Sequence, residues 1–408
     1  MKQFDNIIVG GGVIGCSIAY HLAKAGAGTT LVLERNELAS AASSRAAGLI
    51  LQATTKPANT PLVRATVATI PTLEDELGEA IGFHAVGSLR VAASPARLAE
   101  LEALTEEAAR HGIPCERVDR DKARAMVPWL ELPADSEILF MPSDGYVDPY
   151  LLSMAYARAA RARGVTFRPR TAVDNVAVQQ GRVVGVEAGG ERISGRTVVD
   201  AAGAWAALVS GLAGYALPMA PVRSHYWICE PEAAFGGDHP VTVLPDAAAY
   251  TRPETGGLVL GIQEPRSKTF DARDLPGDPA AFSPTAGEDH WEILADGAEA
   301  LKAFFPSVMT AGFRNYVAGL SAYTPDGSIL LGPVPGVSGF LVAAGCCGNG
   351  IALSGGIGAA TADLARGIAP AFDITPFDPG RFGKIEPFGI EFRDRCAAAR
   401  AAKSRRTH

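Results

Sequence analysis

Asn6-Ile7-Ile8-Val9-Gly10-Gly11-Gly12-Val13-Ile14-Gly15, followed by Glu34, is the stretch on which the fold of this chain turns. The apolar run up to Val9 predicts a short strand. Ile14, Ile18, Leu22 and Ala25 then recur at helical spacing until Gly26, and Thr29–Leu33 predicts a second strand that ends at Glu34. The result is a βαβ unit carrying Gly10-x-Gly12-x-x-Gly15. Gly10 permits the tight turn, Gly12 lets backbone approach a pyrophosphate, and Gly15 lets helix and strand pack closely. The helix start offers unpaired N–H groups and a positive dipole end to phosphates. Glu34 is placed to accept hydrogen bonds from ribose hydroxyls and would repel a 2′-phosphate. The reading is a dinucleotide site, and the fingerprint alone serves FAD and NAD equally.

Working outward, a strand-rich meander follows Gly164: Val165–Phe167, Val173–Val178, a turn at Gln180-Gly181, Val183–Val186, then Thr197–Ala201. The small-residue end Asp200-Ala201-Ala202-Gly203 suits either close approach of backbone to a cofactor or a tightly packed sheet end. Ala96–His111 is helical, and Asp271–Gly287, rich in Pro and Gly, is a long excursion. Residues 340–362 carry no charge and by length alone match a membrane span. Six glycines and Asn349 within them predict a strand, a tight turn and a packed helix instead.

The chain has 408 residues, 48% of them hydrophobic and 20% charged, which excludes a disordered or disulfide-stapled protein and allows two to three domains. With 37 basic against 44 acidic residues, the net charge of −7 gives no general attraction for nucleic acid. Positives crowd one place: Arg393, Arg395, Arg400, Lys403, Arg405 and Arg406 face a single acid, Asp394. This segment is expected to be a frayed, solvated terminus, with docking to an anionic surface or partner as the alternative. Six cysteines without a CxxC pair or nearby histidines point to reduced thiols, a cytoplasmic protein and no metal site. The strand begins too near Met1 for a signal peptide to be expected.

Beyond the fingerprint, motifs occur in a specific order. They are Ser43-Ser44-Arg45-Ala46-Ala47-Gly48, Gly87–Ala92, Asp144-Gly145-Tyr146-Val147-Asp148-Pro149, Ala201–Trp205, Tyr250-Thr251-Arg252-Pro253, Gly319–Gly327 and the glycine-rich 345–358. This order resembles the D-amino acid oxidase superfamily of FAD enzymes, which includes glycine oxidase, sarcosine oxidase β subunits and the dimethylglycine and sarcosine dehydrogenases. The dehydrogenase branch is matched through His225-Tyr226, Leu260-Gly261 and Phe377–Phe382. That branch usually carries a folate-binding half, for which 408 residues leave no space, so capture of product by tethered folate is not expected.

The resemblance implies an α/β protein: a Rossmann-type FAD-binding domain with a β-meander, assembled from 1–82, 145–218 and 319–408, plus a mixed-sheet α+β substrate domain from 83–144 and 219–318. It implies oxidation of a C–N bond in a small secondary or N-methylated amine or amino acid by hydride transfer to flavin N5, giving an imine that hydrolyses. The alternatives are a flavin subunit that needs a partner and a 2-hydroxy acid dehydrogenase. The electron acceptor would be O2, a quinone or an electron-transfer protein, and a homo-oligomer or protein partner is compatible. FAD contacts carry over to Gly10, Gly12, Val13, Ile14, Gly15, Glu34, Arg35, Ser43, Ser44, Arg45, Ala47, Gly48, Val173, Ala202, Gly203 and Trp205. They extend to Gly345, Gly348, Asn349, Gly350 and Ile351, a helix start aimed at the pyrimidine edge of the flavin.

Candidate substrate residues are His225, Tyr226, Tyr250, Arg252 and Tyr323. Three departures from the family pattern matter. Arg45 stands where covalent members carry a flavin-linking histidine, so noncovalent FAD is expected. Ser321 and Gly348 stand where glycine oxidase has arginines. An α-carboxylate then needs another planar cation, with Arg252, Arg314 and Arg223 as candidates, or the substrate lacks one.

Overall fold

The strand Lys2–Val9, the helix Val13–Lys24 and the strand Thr30–Leu33 form the βαβ unit, in a computed structural model that describes residues 2–286 and 290–404. The helix is buried along the whole of its first two turns, from Val13 to Tyr20, because apolar residues occupy most of its circumference. It is wedged between the sheet and the helices Pro149–Ala162 and Gly350–Ala365, which share its core through Ile18, Tyr20, Leu22, Tyr156, Leu353 and Ile357.

The first sheet has eight strands. Lys2–Val9 lies at its centre, parallel to Thr30–Leu33 on one side and to Glu191–Asp200 on the other, with Thr166–Arg168 beyond Thr30–Leu33. Glu191–Asp200 is the last strand of the antiparallel meander Val173–Gln179, Arg182–Ala188, Glu191–Asp200. Its second half also pairs in parallel with Phe340–Ala344. Residues 340–362 therefore resolve into that buried strand, a turn and the helix Gly350–Ala365. Among the described residues no helix is long and apolar enough to cross a membrane.

The second eight-stranded sheet is mixed. Its order runs Phe313–Tyr323, Ala220–Cys229, Gly257–Ile262, Ala249–Glu254, Val241–Leu244, Ser88–Ala92, Glu137–Met141 and Glu116–Val118, with one parallel junction between Val241–Leu244 and Ser88–Ala92. Trp129, Trp227, Phe304 and Phe305 build its core under the helix His290–Leu301. Ala220–Cys229 and Phe313–Tyr323 pair from Ala220↔Tyr323 to Cys229↔Phe313, so the latter strand runs unbroken across residue 319. The region 271–286 is built from short turns at Ala272–Asp274 and Pro279–Ala281, and the rest of the predicted excursion lies outside the described residues.

The expectation of a frayed terminus is corrected for residues 390–403. Ile390–Ala401 is a helix whose Phe392, Cys396 and Ala399 pack on Ala220, Val222, Tyr323 and Cys347. Counting charges concealed apolar residues at i, i+4 and i+7, a spacing that places them on one face of a helix. Arg405 and Arg406 lie outside the described residues.

Candidate active site

Three chain reversals meet at the carboxyl ends of parallel strands: Gly10–Gly12 after Val9, Ala201–Gly203 after Asp200, and Gly345–Asn349 after Ala344. This is where open parallel sheets bind ligands. Gly10 has φ +111°, and a Cβ there would lie 2.4 Å from the Ala201 carbonyl oxygen; a Cβ on Gly15 would lie 1.9 Å from that of Gly10. Both positions exclude any side chain. Gly12 instead has its flank open except for Ser43 Oγ, which accepts a hydrogen bond from the Val13 N–H at 2.9 Å.

The two helices that start here run side by side in the same direction. Ser17 donates to the Ser354 carbonyl at 2.8 Å, and one turn on Gly358 sits against Ser17 and His21. Their N-termini, at Val13 and Gly350, thus open at the same end of the sheet, and their positive dipole ends reinforce each other. The turn before Gly350 needs left-handed backbone at Gly345, Cys347 and Gly348. Burial pushes the Cys346 thiol up to about 12, so it stays a protonated spacer.

Gly10, Gly12, Glu34, Arg35, Ser43, Arg45, Val173, Ala202, Gly203 and Trp205 line one cavity of about 360 Å³. Glu34 accepts from the N–H groups of Gly11 and Asn36, both at 2.8 Å, which fixes its carboxylate at the strand end. Arg35 stacks over Trp205 at 4.5 Å, and the Trp205 indole N–H is buried without a partner among the described residues. Ile14 and Gly15 belong to the helix behind the cavity wall, and Ser44 turns to the Ala41 carbonyl. Ala47, Gly48 and the 345–351 turn lie outside that wall, toward the second sheet.

The second sheet contributes a different surface. By the period of two, Val222, Ser224, Tyr226, Gly319, Ser321 and Tyr323 share one face of the strand pair, and Arg223, His225, Trp227 and Tyr316 the other. On the first face, a Cβ at Gly319 would lie 3.2 Å from the Arg45 side chain, Tyr323 Oη comes within 2.9 Å of where a Gly348 Cβ would be, and Ser224 Oγ donates to Ser321 Oγ at 2.9 Å. Tyr250 lies flat over Gly261, its cross-strand neighbour, where any Cβ would strike the ring. Burial raises the phenols of Tyr226, Tyr250 and Tyr323, that of Tyr250 to about 12.

On the opposite face His225 is enclosed by Trp227 and Tyr316, with Nδ1 3.1 Å from Tyr316 Oη. Arg252 Nε donates to the Ala47 carbonyl at 2.6 Å and Nη1 to the Pro253 carbonyl and Glu254, while its guanidinium lies over Tyr146. The structure therefore brings Tyr226, Tyr250 and Tyr323 together, uses Arg252 as a strut to the Arg45–Gly48 segment, and turns His225 away from them.

A family model described as DAO, FAD dependent oxidoreductase, matches residues 5–364. The chain belongs to that family. Human mitochondrial dimethylglycine dehydrogenase is 30% identical over 385 residues, covering 93% of this chain and 44% of that protein. The 4-methylaminobutanoate oxidase (formaldehyde-forming) of Paenarthrobacter nicotinovorans is 31% identical over 378 residues, 92% of this chain and 45% of that protein. The chain thus spans less than half the length of these relatives. The solved glycine oxidase of Geobacillus kaustophilus superposes with a TM-score of 0.77 at 26% identity, covering 95% of this chain and all of that one.

The DAO family is one of FAD dependent oxidoreductases. The chain's residues fit FAD: the Gly10–Gly12 turn, whose neighbouring backbone a side chain would strike, and the Glu34 carboxylate fixed at the strand end line one crevice, and the second helix starts at the same end of the sheet, beyond the crevice wall. The three arginines expected as carboxylate partners are placed differently. Arg223 is buried against Glu264 at 2.6 Å, Arg252 is committed to Ala47 and Glu254, and Arg314 is exposed on its strand. Ser224, Arg400 and Lys403, none of them a sequence-based site expectation, lie on the tyrosine face instead. Lys403 Nζ donates to the Cys347 carbonyl at 3.1 Å and to Asn349 Oδ1 at 2.8 Å. The helical spacing from Phe392 to Ala399 is the sequence signal for Arg400 and Lys403, and strand alternation from Tyr226 the signal for Ser224.

Proposed function

We propose that this DAO-family protein oxidises the C–N bond of a small secondary or N-methylated amino acid, giving an imine that water hydrolyses. The observation that carries this reading is the tyrosine face. Tyr226, Tyr250 and Tyr323 are gathered where the second sheet meets the Arg45–Gly48 segment and the Gly348–Ile351 helix start. Aromatic rings suit an alkylated nitrogen, whose partial or full positive charge they attract. All three phenols are held protonated at neutral pH, so they orient the substrate by hydrogen bonds and do not abstract its protons. The printed names of two relatives, a dimethylglycine dehydrogenase and a methylaminobutanoate oxidase, support N-methylated amino acids.

In this scheme one hydride, carrying both electrons, leaves the carbon as C–N becomes C=N. A secondary amine also gives its N–H proton to water, whereas a tertiary amine is left as an iminium ion that water hydrolyses. FAD, when bound, supplies the acceptor for the hydride. The paired helix starts at Val13 and Gly350 stabilise negative charge at the cofactor. We also propose noncovalent FAD, since the Arg45 guanidinium donates to the carbonyls of Ser40 and Ala41 and offers no nucleophile. Acid precipitation should then release the flavin into the supernatant.

The test is anaerobic titration of the FAD-loaded protein with sarcosine, N,N-dimethylglycine, 4-methylaminobutanoate, L-proline and lactate, followed by admission of air. Bleaching of the flavin by one or more of the amines supports the proposal. Bleaching by lactate alone, or by none of the five, overturns it. Recolouring in air distinguishes an oxidase from an enzyme that needs another acceptor.

A further inference from the structure

The C-terminal helix places a guanidinium in the interior of the site. Arg400 is only 6% exposed, at the last turn of Ile390–Ala401. Its Nε donates to Ser224 Oγ at 3.4 Å, and Ser224 in turn reaches Ser321. Its Nη1 is buried and has no partner among the described residues, where no aspartate or glutamate pairs with Arg400. Ser224 shares its strand face with Tyr226 and Tyr323, so the hydrogen bond from Arg400 puts the guanidinium on the tyrosine face.

A guanidinium withdrawn from water without a counter-charge is costly to keep. The fold nevertheless fixes it there: Phe392, Cys396 and Ala399 bind the helix to Ala220, Val222, Tyr323 and Cys347, and Lys403, one turn on, ties the end of the segment to Cys347 and Asn349. The buried arginines carried by this sheet each have a carboxylate near them: Arg223 and Arg252 a glutamate, and Arg90 the buried Asp144. Arg400 differs from all three in that respect, and it faces hydroxyl groups that suit the remaining lone pairs of an anion.

We propose that Arg400 anchors the carboxylate of the substrate, with Ser224 and Ser321 completing the anion site. This deepens the proposed function and rests on it for the identity of the reaction. A fork of parallel N–H donors matches the two oxygens of a carboxylate, so the anchor orients the substrate as well as attracting it. The tyrosine rings would then take the alkylated nitrogen end. Selection of amino acids over plain amines is thus delivered by the last helix of the chain and not by the sheet on which the substrate rests.

The experiment uses FAD-loaded wild type, Arg400→Lys and Arg400→Met. Binding of acetate and 2-furoate, which carry a carboxylate and no oxidisable amine, is measured by calorimetry. Flavin reduction by sarcosine and by N-methylethylamine is measured in parallel. Arg400→Met should weaken carboxylate binding on the order of 100-fold while flavin content is retained. Arg400→Lys, which keeps the charge and loses the fork, should fall between. The preference for sarcosine over N-methylethylamine should collapse through KM more than kcat.

Carboxylate binding by Arg400→Met within about threefold of wild type overturns the anchor, as does absence of carboxylate binding in wild type. If Arg400→Met does not fold, Arg400→Lys and Arg400→Gln are judged by the same calorimetric criterion. Wild type that binds acetate through Arg400 but is reduced by no amine leaves the anchor standing and overturns the amine reading.

Discussion

Gly15 shows how a single atom governs the cofactor site. A methyl group there would overlap the Gly10 carbonyl oxygen, and relieving the clash would part the first strand from its helix. Gly15→Ala is therefore expected to cost about 3 kcal/mol or more and to yield protein largely without flavin, read from the flavin-to-protein absorbance ratio of the purified variant. Asp200 makes a different point at the same scale. It is fully buried, accepts from Ser210 Oγ at 2.7 Å and the Ala202 N–H at 3.1 Å, and burial raises its pKa to about 7. The folded protein thus holds a proton there that the unfolded chain releases near 3.8. Its contribution is complete below that value and is lost as pH rises through about 7. Asp200→Asn, which cannot ionise, should gain in thermal stability relative to wild type as pH increases from 5 to 8. A melting-temperature difference that is flat over that range would refute the assignment.

At the scale of elements, the site is held by contacts between segments distant in sequence. Arg252, on the strand Ala249–Glu254, donates to the Ala47 carbonyl and so fixes the Arg45–Gly48 segment against the second sheet. Arg252→Met should cost about 2 kcal/mol in denaturant unfolding, the value of a charged hydrogen bond, and raise the FAD dissociation constant measured by fluorescence. Unchanged FAD affinity would mean the strut does not position the cofactor segment. The helix Gly350–Ala365 depends in the same way on small residues. A Cβ at Gly356 would lie 2.4 Å from Leu62 Cα and one at Gly355 2.6 Å from Thr66 Cα, so the helix Thr60–Leu77 approaches backbone to backbone. These glycines account for the long uncharged run that by length alone resembled a membrane span.

For the whole molecule, two eight-stranded sheets come together around the cofactor crevice, and ligand binding should stabilise them together. Adding FAD to about 100 times its dissociation constant is expected to stabilise the folded protein by about 2.7 kcal/mol, seen as a concentration-dependent rise in melting temperature. An FAD-independent melting temperature would remove the crevice from consideration. The βαβ unit, its glycines, Glu34 and the second helix start were legible in the sequence because each depends on local spacing: an apolar period, a turn needing glycine, an acid at a strand end. The fold class followed, since a fingerprint and a meander in that order admit few topologies. The substrate side was legible only as residue types. His225 and Tyr226 are adjacent in the chain, yet alternation along a strand and the partner strand Phe313–Tyr323 decide which of them meets Tyr250 and Tyr323. Arg223, Arg252, Arg314 and Arg400 are chemically alike; which of them is buried beside a glutamate, spent on a backbone carbonyl, left in solvent or buried without a counter-charge depends on neighbours tens to hundreds of residues away. Local sequence determined where a dinucleotide would lie; long-range packing alone decided which cation faces its substrate.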